Sequence, residues 1–303
     1  MLRCIATLTA TAAPRLGAAS CRAVTTAAGE SEPLVVVTTR DNGVASLELN
    51  APASLNALTV AMGGEFTAAV RELSADEAVR AVVVTGRGRA FSAGGDLAFL
   101  HERTQDNPVS NTAHMMAFYR AFLAVRDLPV PVIAAINGHA VGAGCCFALA
   151  ADMRLVHDAA KVGFNFVRLG LHPGMGCTHT LPALVGPQRA ARLLLSGDLV
   201  SGAEAVDLGL ANELVTAPED PAAGIRSTFD AALALAADLA ANTSPEASRT
   251  LTRTLRNAAD VGLDAALARE ADCQAHSYAS LDFQQRLADM RAATSSKAKA
   301  KRA

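Results

Sequence analysis

Two apolar segments of strand length, each followed by glycines and then by a helical pattern, most limit what this chain of 303 residues can fold into. They are VRAVVVTG at 79–86 and PVIAAING at 131–138. Strands this apolar are buried on both faces, so helices have to cover both sides of their sheet. The chain is 51% hydrophobic, enough to fill such a core. An α/β layered core is therefore predicted.

Further elements follow from local patterns. PLVVVTTRDNGVASLELN at 33–50 predicts a hairpin with its turn at Asp41-Asn42-Gly43. Helices are predicted at 58–76 and in MMAFYRAFLAVRDL before Pro129. Strands are predicted in DMRLVH and VGFNFVRLGL, and from residue 218 onward the pattern is almost purely helical.

Composition excludes several classes of function. A net charge of −2 gives no basic field for nucleic acid. No apolar run is long enough for a transmembrane helix, so no membrane span is expected. The six cysteines form no C-x-x-C pair, which favours reduced thiols in an intracellular protein over a disulfide framework or a zinc site.

The first thirty residues differ from the rest of the chain. They are rich in Ala, Thr and Ser, and they contain Arg3, Arg15 and Arg22 with no acidic residue before Glu30. This composition is typical of a mitochondrial presequence and predicts location in the matrix. The alternative is an Ala-rich disordered tail. The last ten residues, 294–303, are basic and of low complexity, which predicts disorder.

The two glycine-rich turns are the candidate chemical feature. SAGGDL contains Gly94 and Gly95, and GHAVGAG spans 138–144. Glycine allows close approach of a ligand to the backbone, and a helix N-terminus presents unpaired N–H groups. Two such donors aimed at one point would stabilise an oxyanion forming on a carbonyl. Neither turn has a phosphate-binding spacing. The alternative is a pair of tight turns without chemistry.

Four segments between residues 34 and 216 resemble the enoyl-CoA hydratase/isomerase (crotonase) superfamily in order and spacing: AFSAGGDL, PVIAAINGHAVGAGC, LGLHPGMGCTHTLPALVG and LLLSGDLVSGAEAVDLGLANELV. The resemblance implies a spiral of ββα turns with a C-terminal α-helical trimerisation region. It also implies a homotrimer, or a hexamer built as a dimer of trimers. The substrate would be an acyl-CoA thioester, with coenzyme A as part of it and no separate cofactor or metal.

The resemblance divides the chain into four parts. Residues 1–30 are the predicted presequence, 31–220 the spiral core with the acyl-CoA pocket, 221–293 the C-terminal helical region and 294–303 the basic tail. By motif, the backbone N–H groups of Gly95 and Ala143 would hold the thioester oxygen. Alanine can serve at 143 provided its φ is not positive.

The pattern breaks at the two positions where hydratases of the family carry glutamates, which are Cys146 and Phe166 in this chain. A positioned general acid or base contributes about 10²–10⁴ in rate, so ordinary hydration should be greatly weakened. Cys146 could act as a thiolate with a pKa lowered by the helix N-terminus. His172 could titrate near neutrality. The alternatives are that Cys145 and Cys146 pack a helix start and that His172 is an ordinary loop residue.

The resemblance also implies substrate-binding positions. Backbone groups of Ala53 and Leu55 would contact the adenine end of coenzyme A. Other pocket positions are Ala93, Gly95, Asp96, Leu97, Tyr119, Ala143 and Gly174. Asp96 could instead cap a helix, and Tyr119 could instead be a half-buried core residue. Arg87 and Arg89 could meet the phosphates of coenzyme A or could be solvated surface charges.

Three functions are compatible with these features. The first is an acyl-CoA enzyme of enoyl-CoA hydratase/isomerase type, or an isomerase, decarboxylase or thioester hydrolase with a non-standard acid or base. The second is a non-catalytic scaffold, favoured by the missing glutamates. The third is RNA binding, which one branch of the family performs through a lysine-rich helix. The corresponding stretch 110–128 has no lysine, so nucleic acid is not an expected partner.

Overall fold

The computed structural model describes residues 22–23, 32–216, 221–257, 281 and 285, with side chains of the helix at 221–242 described from residue 226. The strands are β1 (Arg22–Ala23), β2 (Val35–Thr39), β3 (Val44–Leu49), β4 (Ala81–Gly86), β5 (Ala90–Ser92), β6 (Val132–Ile136), β7 (His139–Val141), β8 (Met153–His157), β9 (Lys161–Gly163), β10 (Leu199–Ser201) and β11 (Glu213–Val215). The helices are α1 (Val60–Ala75), α2 (Leu97–Arg103), α3 (Pro108–Leu123), α4 (Ala143–Leu149), α5 (Cys177–Val185), α6 (Pro187–Ser196), α7 (Gly202–Leu208), α8 (Pro221–Asn242) and α9 (Pro245–Asn257). Short 3₁₀ segments lie at Pro52–Ser54, Ala124–Asp127 and Asn165–Leu169.

Two sheets organise these elements. The larger has the order β1-β2-β3-β4-β6-β8-β11, with parallel pairing from β3 onward. The smaller has the order β10-β9-β7-β5. The chain places one strand in the large sheet, one in the small sheet and then forms a helix, as in β4-β5-α2 and β6-β7-α4. This repeat is the predicted spiral of ββα turns.

The parallel strands of the large sheet are covered on both faces, as their apolar sequences require. On one face, α8 packs Phe229, Ala232 and Ala236 against Val83 and Ile133. On the other face lies the main core, which includes a group of aromatic rings contributed by several elements. Its fully buried phenylalanines are Phe66, Phe91, Phe122, Phe147 and Phe164.

The structure confirms the hairpin at 33–50, the helix predicted at 58–76 and the strands within 79–86 and 131–138. The expectation that each of these last two strands leads directly through its loop to a helix was wrong. The short strands β5 and β7 come first and pair with each other in the small sheet. They bring the two glycine turns side by side.

The predicted strand at 162–171 was also wrong over most of its length. Only β9 pairs, and it ends at Gly163, after which the chain forms the 3₁₀ segment Asn165–Leu169. Strand pairing stops at Gly163 because β10, its antiparallel neighbour, extends no further than Leu199 opposite it. The 3₁₀ segment Asn165–Leu169 lies against Gly142, just before the N-terminus of α4.

The C-terminal part is helical as far as the structure describes it, through α8 and α9. The rest of the predicted helical region to 293 (apart from helical residues 281 and 285), the basic tail and the presequence (apart from β1) lie outside the described residues. Among the helices that are described, none is long and apolar enough to cross a membrane.

Candidate active site

The turns before α2 and α4 meet at Gly94. This residue has φ +97°, and a Cβ placed on it would lie 2.7 Å from the carbonyl oxygen of Val141 and 3.5 Å from the backbone nitrogen of Ala143. Only glycine accommodates both the backbone conformation and the contact. The absent side chain at Gly94 therefore allows the turn of one ββα unit to pack against the helix start of the next.

The backbone N–H groups of Gly95 and Ala143 lie next to this junction in the chain and have no partner among the described residues. Neither donates a hydrogen bond to any residue in the described part of the chain. The preceding Gly142 is satisfied, because its N–H donates to the carbonyl oxygen of Gly163 at 2.9 Å. Ala143 is the first residue of α4, where an N–H has no partner within its own helix. These two N–H groups are available for an external acceptor.

The backbone at 142–143 also meets the condition for an alanine donor. Gly142 takes the unusual conformation, with φ 56° and ψ −122°, whereas Ala143 does not have a positive φ. The unusual backbone conformation therefore falls on Gly142, which as a glycine adopts it without steric cost.

The side chain of Asn56 connects its own loop to the segment that leads to the first glycine turn, a role that was not predicted from the sequence. Its buried side chain accepts from the N–H of Ala51 at 2.9 Å and donates to the carbonyl oxygens of Arg87 and Ala90 at 2.9 and 2.8 Å. Its φ is 54°, a left-handed conformation that asparagine tolerates better than most residues. The asparagine in the segment NAPASLNAL was the available signal.

Ala53 and Leu55, the predicted coenzyme A contacts, lie in the loop between Ala51 and Asn56 that this side chain holds. Ala53 is exposed on the 3₁₀ segment Pro52–Ser54. Leu55 is half-buried, and its carbonyl oxygen accepts from the N–H of Ala93 at 2.9 Å, which ties the loop to the first glycine turn. Of the two predicted phosphate-binding arginines, Arg87 pairs with Glu48 at 3.4 Å.

Phe166 lies beside the second glycine turn. A Cβ on Gly142 would be 3.1 Å from Oδ1 of Asn165 and 3.9 Å from Cζ of Phe166. The phenyl ring is half-buried and packs against the main core. At the position of the expected second glutamate, the site therefore has an apolar wall.

The surroundings of Cys146 disfavour the thiolate considered for it. Burial is the main cause that raises its pKa well above the usual value, followed by a hydrogen bond with the thiol of Cys177. Both neighbours Cys145 and Cys146 are buried within α4, which bears out the alternative that they pack the helix start. Desolvation of a sulfur anion outweighs the field of this seven-residue helix.

Cys177, which the sequence reasoning missed, has the opposite shift. The hydrogen bond from Cys146 lowers its pKa, as do backbone N–H groups at the start of α5, although burial opposes them. The available signal was a cysteine directly after Gly176 at the beginning of a predicted helix.

Tyr119 on α3 adjoins this thiol pair. Tyr119 is half-buried, as in the alternative of a core residue. A Cβ on Gly174 would lie 2.3 Å from its hydroxyl oxygen. Desolvation raises the pKa of Tyr119, with smaller contributions from Cys146 and Cys177. The structure thus brings together the predicted residues Tyr119, Cys146 and Gly174.

The remaining predicted residues make contacts of their own or are exposed. His172 is exposed, and its Nδ1 lies 2.7 Å from the carbonyl oxygen of Pro173. Asp96 accepts from the N–H of Phe99 at 3.0 Å and caps α2, which confirms the capping alternative. Leu97 follows it with 79% of its surface exposed. Among the residues the structure describes, no three His, Cys, Asp or Glu side chains are grouped as metal ligands.

Comparison with known proteins assigns this architecture to a family. The family model for enoyl-CoA hydratase/isomerase matches residues 39–293. A Mycobacterium tuberculosis protein named "Probable enoyl-CoA hydratase EchA14" is 41% identical over 210 residues, which are 68% of this chain and 81% of the relative. Crotonyl-CoA hydratase of Syntrophomonas wolfei is 36% identical over 187 residues, 61% of this chain and 70% of the relative.

A solved structure agrees with the sequence relatives. The crystal structure of enoyl-CoA hydratase from Bacillus anthracis superposes with a TM-score of 0.77 at 28% identity, and the match covers 85% of this chain and 96% of that one. The ββα spiral and the two glycine turns are consistent with these similarities. The chain belongs to the enoyl-CoA hydratase/isomerase family, with the crotonase fold.

Proposed function

We propose that the protein binds an acyl-CoA thioester and stabilises its enolate through the backbone N–H groups of Gly95 and Ala143. The observation that carries this proposal is that both N–H groups are unpaired among the described residues at the junction made by Gly94. Hydrogen bonds to a forming oxyanion are stronger than those to the ground-state carbonyl, and removing one such donor typically costs about 3–4 kcal/mol of barrier. Coenzyme A enters as part of the substrate, with no separate cofactor.

The reaction that follows enolate formation is set by proton transfer. With Cys146 and Phe166 at the positions of the family's glutamates, fast hydration is not expected. Isomerisation, decarboxylation of a malonyl-type thioester and thioester hydrolysis need a different placement of acid and base, and each remains compatible with the proposed oxyanion site. The relatives are named as hydratases of acyl-CoA thioesters, which supports an acyl-CoA substrate for this chain.

A substrate panel tests the proposal. The purified protein is offered a short 2-enoyl-CoA, a 3-enoyl-CoA and malonyl-CoA, with the conjugated-thioester absorbance and the products recorded, and binding of butyryl-CoA is measured in parallel. Turnover of any of these supports an enolate-stabilising enzyme. Binding without turnover on the whole panel would favour the scaffold function, and no binding would overturn the proposal.

We also propose assembly as a homotrimer or as a dimer of trimers, and location in the mitochondrial matrix. Large apolar side chains that a single chain leaves exposed support assembly, among them Leu97, Val109 and Leu195 at 79, 82 and 78%. The arginine-containing, acid-poor first thirty residues support the location. Light scattering after gel filtration should give three or six chain masses. A fluorescent fusion of residues 1–30 should enter mitochondria.

A further inference from the structure

Three titratable side chains from three consecutive helices converge beside the proposed oxyanion site. Tyr119 comes from α3, Cys146 from α4 and Cys177 from α5. Cys146 and Cys177 shift each other's pKa and both contribute to the raised pKa of Tyr119, so the three side chains are neighbours. Cys146 is three residues after Ala143, so the cluster lies within about one helical turn of an oxyanion donor.

Only one member of the cluster is open to a bound substrate. Cys146 and Cys177 are 2% and 0% exposed, so no substrate atom reaches their sulfurs in this conformation. Tyr119 is half-buried. Its side chain packs against the core while its hydroxyl extends to the loop at Gly174.

The hydroxyl of Tyr119 makes no hydrogen bond within the described part of the chain, and its oxygen is not among the buried atoms there. Polar atoms in partly buried positions are normally paired with protein or water. Its neighbours are the ring of Phe118 and the backbone at Gly174, and neither offers it a side-chain partner.

We propose that Tyr119 is the catalytic residue that delivers a proton to the α-carbon of the thioester enolate. This rests on the proposed function, because it requires an enolate held by Gly95 and Ala143. In the step, the O–H bond of Tyr119 breaks, a C–H bond forms at the α-carbon, and the enolate electron pair restores the thioester carbonyl. The phenolate then regains a proton from water.

The surroundings favour this role. Burial raises the pKa of Tyr119, so the phenol keeps its proton across the neutral range and is available as a donor. Its position is set by Gly174, because any side chain there would collide with the hydroxyl at the 2.3 Å distance given above. Gly174 is thus a positioning residue for Tyr119.

Hydrogen–deuterium exchange at the α-carbon tests the proposal. By microscopic reversibility, the group that protonates the enolate removes the same proton in its deprotonated form. The protein is incubated with butyryl-CoA in D₂O between pH 7 and 9, and deuterium uptake is followed by mass spectrometry while binding is measured separately. The enzyme-dependent rate should rise about tenfold per pH unit, since the phenolate fraction does so below the pKa.

Variants separate the possible outcomes. Tyr119→Phe should lower exchange by about 10²-fold or more while butyryl-CoA still binds. Gly174→Ala should lower it as well by displacing the hydroxyl. Equal exchange in Tyr119→Phe and wild type, or no exchange in a wild type that binds, would overturn the role of Tyr119.

Two further outcomes are decisive. Exchange lost in Cys177→Ala but kept in Tyr119→Phe, with a rate that levels off below pH 9, would assign the step to the thiol and overturn the proposal. A wild type that does not bind butyryl-CoA would instead contradict the proposed function itself.

Discussion

Cys145, Cys146 and Cys177 show that hydrogen bonds as well as burial decide the pKa of a thiol, because all three are buried and their pKa values shift in different directions. Cys145 lies in the core, and desolvation raises its pKa to about 12. Cys146 next to it is raised as well, whereas Cys177 is lowered by hydrogen bonds at the start of α5. Among the described cysteines, two therefore have a raised thiol pKa and one has a lowered thiol pKa.

The raised pKa of Cys145 predicts a loss of stability in alkali. The unfolded chain releases this proton above about pH 8.5, whereas the folded chain retains it, so the free energy of unfolding should fall between that pH and about 12. Below pH 8 this contribution is fully present. The melting temperature of wild type and Cys145→Ala should be measured from pH 7 to 11. The variant should lose less over that range, and parallel curves would contradict the assignment.

At the scale of elements, the glycine turns and the helices that follow them determine the site. The turn at Gly94 is held by a close contact with the start of α4, whereas Gly64 on α1 is exposed and has no atom within 4 Å of a built Cβ. These two glycines form a matched pair, because one is required by geometry and the other is not.

Gly94→Ala should displace the turn that carries the N–H of Gly95. We expect a loss of about 1–3 kcal/mol of stability from the positive φ and a fall in turnover of about 10²–10³ if one oxyanion donor is lost. Gly64→Ala should instead gain about 0.5–1 kcal/mol and leave turnover unchanged, since alanine is favoured in a helix. Urea unfolding and turnover of both variants check this. Full activity in Gly94→Ala would be inconsistent with the proposed junction.

Most of the strands and helices could be predicted from the sequence. The elements and contacts that were not predicted have a physical reason. Apolar runs such as 79–86 identify buried strands, and the alternation with helices identifies the layered core. The short strands β5 and β7 were missed because three residues carry too little periodicity. The role of Cys177 was missed because it depends on contact with Cys146, which only the packing of α5 against α4 creates.

At the scale of the whole molecule, Arg256 adds a polar link between the helical C-terminal part and the spiral, beside the packing of α8 on the large sheet. Arg256 on α9 pairs with Asp152 through Nε–Oδ1 at 2.8 Å, and its guanidinium donates to the carbonyl oxygens of Arg126, Leu128 and Val130. The carboxylate of Asp152 also accepts from the N–H of Val132 at 2.8 Å, at the start of β6. One ion pair therefore joins α9, the loop after α3 and the large sheet.

Removing this link should be costly. Arg256→Ala leaves the carboxylate of Asp152 and three carbonyl groups without this donor. The two side chains are 8% and 22% exposed, so the cost should be somewhat below the value of about 3–5 kcal/mol that is typical of a fully buried ion pair. Arg253→Ala on the same helix is the control, because this exposed side chain should change stability by no more than about 0.5 kcal/mol. Urea midpoints measure both, and similar losses in the two variants would refute the assigned link.

The central claim, that Gly95 and Ala143 form an oxyanion site for a thioester, is tested most directly by infrared spectroscopy of bound butyryl-CoA labelled with ¹³C at the thioester carbonyl. Two N–H donors polarise the C=O bond, so its stretching frequency should fall on binding to the wild type, and the shift should be smaller in Gly94→Ala. A bound thioester whose carbonyl frequency equals that of free butyryl-CoA in water would contradict the claim.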